Sequence, residues 1–267
     1  MIRSVKNKVK EITRRKDLLK NGHFVFSVNT GRSGSDYLGS LLATSKEVLA
    51  YHEREPYMTG KYLRLVEKLE MDGSKKDRMI KVNSILRDLA ISGKRVYAES
   101  NHMFAKTFYD VALESFDNVT VIHLERNIKD TAKSFLKLRY FTDENDVWSR
   151  WMIHPNAPMC FLKFPQLVNE YELIFGYLAE MRYRSQYIKE NFNANHIEVK
   201  LEQLNDITFV SSLFKKIGLS MTDKTKNLVG KKLNDRQDRK NDFTFKFSQE
   251  KFDAAYQRIN AIYQFEN

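Results

Sequence analysis

His23-Phe24-Val25-Phe26-Ser27-Val28, running into Asn29-Thr30-Gly31-Arg32-Ser33-Gly34-Ser35-Asp36-Tyr37-Leu38, is the stretch on which the fold turns. Residues 23–28 are mostly β-branched or aromatic and carry no carboxylate, lysine or arginine, which predicts a buried strand. The run stops at a polar turn with two glycines. From about Ser35 onward, Leu38, Leu41 and Leu42 recur at helical spacing. Strand, turn and helix in that order begin a parallel α/β unit.

The same alternation extends along the chain. EVLAY (47–51), RVYA (95–98), NVTVIHL (118–124) and HIEVKL (196–201) predict four more strands. Helical periodicity fills most of 59–92 in two stretches, then 104–115, 128–138, 165–192 and 207–217. Five strands separated by helices require crossover connections. The expected fold is therefore a three-layer α/β domain over 1–267, with a central, mainly parallel five-stranded sheet and helices on both faces. The segment 221–243 is basic, polar and weakly periodic and reads as surface loop, and no element is assigned beyond it.

Composition bounds the partners. Lys and Arg number 45 against 34 Asp and Glu, a formal charge of +11, which asks for an anionic partner without choosing among nucleotide, nucleic acid, glycan or membrane surface. The single cysteine, Cys160, forms no internal disulfide and no thiolate metal site, so a cytoplasmic setting is expected. No apolar run is long enough to predict a membrane span. MIRSVKNKVKEITRRKDLLK (1–20) lacks a signal-peptide core and reads as a basic amphipathic helix lying on the protein body.

In a parallel sheet, ligands collect at the carboxyl ends of the strands. The turn after the first strand holds Gly31 and Gly34, which permit positive φ and close backbone approach, and Arg32, a permanent charge with a planar donor fork. Ser33 and Ser35 add hydroxyls, and the following helix presents free N–H groups. An ordinary strand-to-helix turn is the alternative. Known motifs fail here: no lysine follows Gly34 as a nucleoside triphosphate loop requires, and the second glycine comes one place early for a hydrolase elbow. The six histidines show no paired metal-ligand spacing. A second element, VIHLERNIKDTAKSF (121–135), puts Arg126 at a strand end and Ser134 eight residues later in a helix, where both can converge on one phosphate; a surface salt bridge is the alternative for Arg126.

Together the two elements resemble the PAPS-dependent sulfotransferase family, in particular its bacterial, carbohydrate-acting branch. PAPS is 3′-phosphoadenosine 5′-phosphosulfate, and its product after transfer is 3′-phosphoadenosine 5′-phosphate (PAP). YHEREP (51–56) is similar to a segment that follows the second strand in that branch, and HIEVKLEQLND with FVSSLFKKIGL matches the late strand, acidic turn and helix. The resemblance covers about 23–218. It departs in two places: a lysine common after the third strand is absent from Ala98-Glu99-Ser100-Asn101-His102, and Asn127-Ile128 replaces the family's proline after the arginine.

The resemblance implies a nucleotide-kinase-like fold with strand order second-third-first-fourth-fifth and PAPS as cofactor, with no metal required. Thr30, Gly31, Arg32, Ser33, Gly34, Ser35 and Asp36 would hold the 5′-phosphosulfate, with Arg32 neutralising the leaving group, while Arg126 and Ser134 would hold the 3′-phosphate. The partner would be a hydroxyl-bearing, carbohydrate acceptor rather than nucleic acid. A carboxylate after the second strand, Glu53 or Glu55, would be the general base, with Glu53 favoured for its place directly after the strand and His52 as a minor alternative. Glu99 and His102 are candidates for acceptor contact. Trp148 and Trp151 are candidates for sugar stacking or for packing. His123 reads as a core histidine. Lys231, Lys232 and Arg236 lie in a basic loop that either closes over the nucleotide or is simply solvated. Competing readings are a phosphate-loop kinase, a basic nucleic-acid-binding protein and an inactive protein of the same fold.

Overall fold

The structure, a computed structural model, describes residues 2–142, 147–231 and 247–265. After an N-terminal helix α1 (Ile2–Asn21), the chain runs β1 (His23–Val28), α2 (Ser35–Leu42), β2 (Val48–His52), α3 (Lys61–Ser92), β3 (Val96–Ser100), α4 (Tyr109–Ser115), β4 (Val119–Glu125) and α5 (Ile128–Leu136). It continues through α6 (Val147–Arg150), α7 (Glu170–Asn191), β5 (Asn195–Lys200), α8 (Ile207–Lys216), α9 (Asp223–Leu228) and α10 (Gln249–Asn260). The five strands form one all-parallel sheet in the order β2-β3-β1-β4-β5, as expected.

Alternation along the strands explains the layers. Phe24, Phe26 and Val28 of β1, Tyr97 of β3 and Val121 of β4 face a core shared with α3, α4, α5 and α7. Val25, Ala98, Ile122 and Val199 face the opposite core, closed by Leu38, Leu41 and Leu42 of α2 and Val210, Leu213 and Phe214 of α8. Both faces of the central strands are therefore buried, which is why they read as continuous apolar runs. Phe26 is the pivot of the first core, stacked on Phe104 at 4.8 Å and edge-on to Phe108. Its replacement by alanine would cost about 3–5 kcal/mol.

The register places the functional edge. Ser27 pairs with Ser100 and Val28 with His123, so the turns after β1, β3 and β4 leave the sheet side by side. β2 ends level with β3, His52 against Ser100.

Several boundaries differ from the sequence reading. α3 is broken at Glu70 (φ 61°), so the two expected helical stretches meet without a loop. Residues 104–108 form a wider, π-type turn before α4. Within 221–243, α9 stands where loop is expected; six residues are too few to show periodicity, and a Thr222–Thr225 capping box holds the helix. The unassigned C-terminal region contributes α10, which packs Phe252, Tyr256 and Ile259 into the first core. α1 is helical as expected and is anchored by buried Leu18 and an Asp17–Arg95 ion pair at 2.9 Å. No described helix is long and apolar enough to cross a membrane.

His123 is buried, its Nδ1 paired with Ser185 Oγ at 2.7 Å and its Nε2 with His196 Nδ1 at 3.0 Å. Burial lowers its pKa from 6.5 to about 4, with His196 and Lys189 as smaller causes and Glu198 opposing. The unfolded imidazole titrates near 6.5, so below that pH the unfolded chain takes up a proton that the folded one refuses. Stability is thus intact above pH 6.5 and declines as pH falls towards about 4, by an amount of order 3 kcal/mol. Thermal unfolding followed across this window should show the decline, and His123→Gln should flatten it. Equal slopes in the two proteins would remove His123 as the cause.

Candidate active site

The turn after β1 is held from three sides. Asn29 Oδ1 accepts the Gly31 N–H at 3.0 Å while its Nδ2 donates to Ser27 Oγ at 2.9 Å, which turns the chain sharply off the strand. The Tyr177 hydroxyl, from α7, donates to the Thr30 carbonyl at 2.8 Å. Gly31 (φ 75°), Arg32 (φ 57°) and Gly34 (φ 91°) all take left-handed backbone. At Gly34 the positive φ favours glycine, and a methyl group there would lie 2.3 Å from Leu201 Cδ1, so that side chain would have to move.

Arg32 adopts this conformation against a cost of about 1–2 kcal/mol. What holds it there is the second sequence element. Arg126 Nη1 donates to the Arg32 carbonyl at 3.1 Å, and Arg32 Nε donates to Ser134 Oγ at 3.1 Å. Ser33 is 1% exposed, and its hydroxyl finds no hydrogen-bond partner among the described residues. Gly34, the residue before α2, offers no side-chain cap, so the first N–H groups of the helix stay available to an anion. An orphaned buried hydroxyl, uncapped amides and two arginines are what a phosphate or phosphosulfate would satisfy, so the residues fit that group. Asn127, where the family has proline, caps α5 by accepting the Asp130 N–H at 3.1 Å.

Across the edge from this loop, the chain leaves β2 through Glu53, which has φ 54° and donates its N–H to the Ser100 carbonyl. Glu53 Oε1 lies 3.5 Å from His102 Nε2 and 3.9 Å from His52 Nε2. On its other side, His102 Nδ1 accepts from Lys106 Nζ at 2.6 Å. Lys106 is fully buried, donates also to the Trp151 carbonyl at 2.8 Å and sits 5.1 Å over the Tyr177 ring. Burial, and then the charge of Lys106, hold the His102 pKa well below its ordinary value, so the ring is neutral at pH 7. With Nδ1 accepting, the proton rests on Nε2 and faces Glu53. Burial likewise lowers Lys106, against the opposing charge of Glu53. A methyl on Gly31 would lie 4.0 Å from His102 Cγ, so carboxylate, imidazole and phosphate turn form one continuous surface.

No family model and no curated protein matches the chain in sequence. Solved structures do match in fold. They include the sulfotransferase domain of the olefin synthase from Synechococcus PCC 7002, at TM-score 0.51 and 16% identity, covering 80% of this chain and 79% of that one. A sulfotransferase domain from the curacin biosynthetic pathway matches at TM-score 0.50 and 16% identity, with the same coverage of 80% and 79%. Sulfotransferase STF1 from Mycobacterium tuberculosis matches at TM-score 0.53 and 13% identity, over 94% of this chain and 80% of that one. The chain has the sulfotransferase fold. At such identities the likeness is one of fold, and function has to be argued from the residues themselves.

Within this sulfotransferase fold the remaining candidates separate. The left-handed turn at Glu53 ends the two-residue alternation of β2, and Glu55 is exposed, its carboxylate bonded to the exposed Tyr57 hydroxyl. Glu99, a candidate for acceptor contact, is 1% exposed and takes donors from Lys81, Arg54, Asn101 and Tyr97. Trp148 packs edge-on to Phe141 at 4.8 Å and beside His154 at 5.0 Å, a core role, while Trp151 is half-buried, its ring edge-on to Tyr140 at 6.2 Å and its carbonyl accepting from Lys106. Lys231 is exposed, and the segment before it reaches α2 through the Gly230 N–H donated to Tyr37 OH at 2.8 Å. Lys232 and Arg236 lie outside the described residues. Sequence reasoning passed over Lys106 and Tyr177. The H-x-x-x-K spacing from His102 to Lys106 was the available signal, since it puts both on one helical face.

Proposed function

We propose that the protein is a PAPS-dependent sulfotransferase that moves a sulfonate group to an acceptor hydroxyl. The observation that carries this reading is the direct junction of the two phosphate elements, Arg126 on the Arg32 carbonyl and Arg32 on Ser134, each at 3.1 Å across about a hundred residues of chain. A solitary strand-to-helix turn needs no such partner. Two anionic groups of one nucleotide, a 5′-phosphosulfate and a 3′-phosphate, need two adjacent cationic sites.

The bound donor supplies an electron-poor sulfur and a phosphate leaving group, much as in phosphoryl transfer. Arg32, the Ser33 and Ser35 hydroxyls and the N–H groups of 32–35 neutralise the leaving phosphate, with Gly31 giving close backbone approach and Thr30 and Asp36 flanking the same turn. Arg126 and Ser134 hold the 3′-phosphate. Glu53 accepts the proton of the acceptor hydroxyl as its oxygen bonds to sulfur and the sulfur–phosphate oxygen bond breaks. Neutral His102, its Nε2 3.5 Å from Glu53 Oε1, flanks the carboxylate and leaves its charge intact. The acceptor is a glycan or glycolipid hydroxyl, a reading supported by the branch resemblance of the Glu53 segment.

Parallel calorimetry with PAP, ATP and a DNA oligomer tests this reading. PAP should bind with clear preference over both. Tighter binding of ATP would favour a kinase, and tighter, steeply salt-dependent binding of DNA would favour a nucleic-acid protein; either result sinks the sulfotransferase assignment.

A further inference from the structure

Beneath Glu53 lies an ion pair that the proposed chemistry does not use. The side chains of Lys81, from α3, and Glu99, from β3, are both 0% exposed and meet at 2.7 Å. Glu99 Oε1 also accepts from Asn101 Nδ2 and from the Arg54 N–H, each at 2.9 Å, and Oε2 accepts from the Tyr97 hydroxyl at 2.6 Å. Lys81 Nζ in turn donates to the Arg54 carbonyl. Both backbone polar groups of Arg54 are therefore held, the N–H by the carboxylate and the carbonyl by the ammonium.

Burying two charges is not in itself a route to stability, because desolvation offsets most of their attraction. A pair kept fully dry and bonded to one residue's backbone is better explained by position. Glu53 sits immediately before Arg54 in left-handed backbone (φ 54°), which residues other than glycine adopt only when their surroundings impose it. Its own N–H is tied to the Ser100 carbonyl at 3.2 Å, so the turn is pinned on both sides of the carboxylate-bearing residue.

We infer that the Lys81–Glu99 pair is a positioning device for Glu53, gripping the backbone of Arg54 so that the preceding carboxylate faces His102 and the phosphate turn. The inference rests on the proposed role of Glu53 as the base. Lys81 and Glu99 touch no substrate and act only through the turn they hold.

The test is the near-isosteric, charge-free double variant Lys81→Met/Glu99→Leu, which leaves no buried charge alone as either single change would and no side-chain oxygen at 99 to accept the Arg54 N–H. Thermal unfolding and PAP affinity establish that it folds. Two readouts follow, hydrogen exchange over 53–57 by mass spectrometry and the rate of sulfonate transfer. Exchange should accelerate about tenfold or more as the Arg54 N–H loses its buried carboxylate partner. Turnover should fall by about 10²-fold at unchanged PAP affinity, the effect of misplacing a proton acceptor by about an ångström. In a Glu53→Gln background the same double change should cost less than about twofold, because there is then no base to misplace. Unchanged exchange overturns the clamp. Faster exchange with wild-type turnover, or an equal loss in the Glu53→Gln background, overturns its service to Glu53. A wild type that transfers no sulfonate would instead sink the proposed function, and exchange alone would then decide whether the pair holds the turn.

Discussion

Glu53→Gln is expected to lower turnover by roughly 10²–10⁴-fold while PAP affinity stays near that of the wild type, the usual contribution of a positioned proton acceptor. Glutamine keeps the shape and its place 3.5 Å from His102 Nε2, but it cannot take the acceptor's proton. Glu55→Gln is the internal control. Its exposed carboxylate bonds to Tyr57 and should be dispensable. Arg32→Ala should weaken both binding and turnover, since it removes charge from the phosphosulfate in ground and transition states alike and also breaks the bond to Ser134. Steady-state rates with PAPS, alongside PAP calorimetry, separate these outcomes. Loss of activity in Glu55→Gln with normal Glu53→Gln would move the base by two residues. Normal turnover in both would end the carboxylate mechanism and turn attention to His52 and His102.

The second large effect concerns the nucleotide. PAP should bind the wild type about 10²-fold more tightly than 5′-AMP, because the 3′-phosphate gains charge-assisted bonds worth about 1.5–3 kcal/mol each from Arg126 and Ser134. Arg126→Ala should erase most of that preference. Since Arg126 also supports the Arg32 carbonyl, its loss will loosen the turn and weaken both nucleotides. The ratio of the two affinities cancels that shared loss and isolates the 3′-phosphate contact. Calorimetry on both proteins with both ligands gives the ratio directly, and equal wild-type affinity for PAP and 5′-AMP would show that Arg126 and Ser134 serve another purpose.

How much of this was legible in the chain differs by level. HFVFSV and NVTVIHL announced central strands because each is buried on both faces, and burial leaves its mark residue by residue. Gly31 and Gly34 announced the turn because positive φ is a local demand that few other side chains meet. The strand order followed from family resemblance, and the register confirmed it. α9 and α10 stayed hidden, the first too short to be periodic and the second beyond the last assigned element. The sequence by itself thus determined the layers, the parallel sheet and the residue types at its functional edge. Which of those residues meet was decided only by the tertiary structure. Glu53 and Glu99 are both acids just past or at the end of a neighbouring strand, yet one reaches half-exposed toward His102 and the other is sealed against Lys81. Arg32 finds Ser134 and Arg126 only because β1 lies directly beside β4 in the folded sheet. Hydrogen bonds act over about 3 Å, so partners far apart in the chain are settled by how the crossovers bring strand ends together, a property that no local pattern encodes.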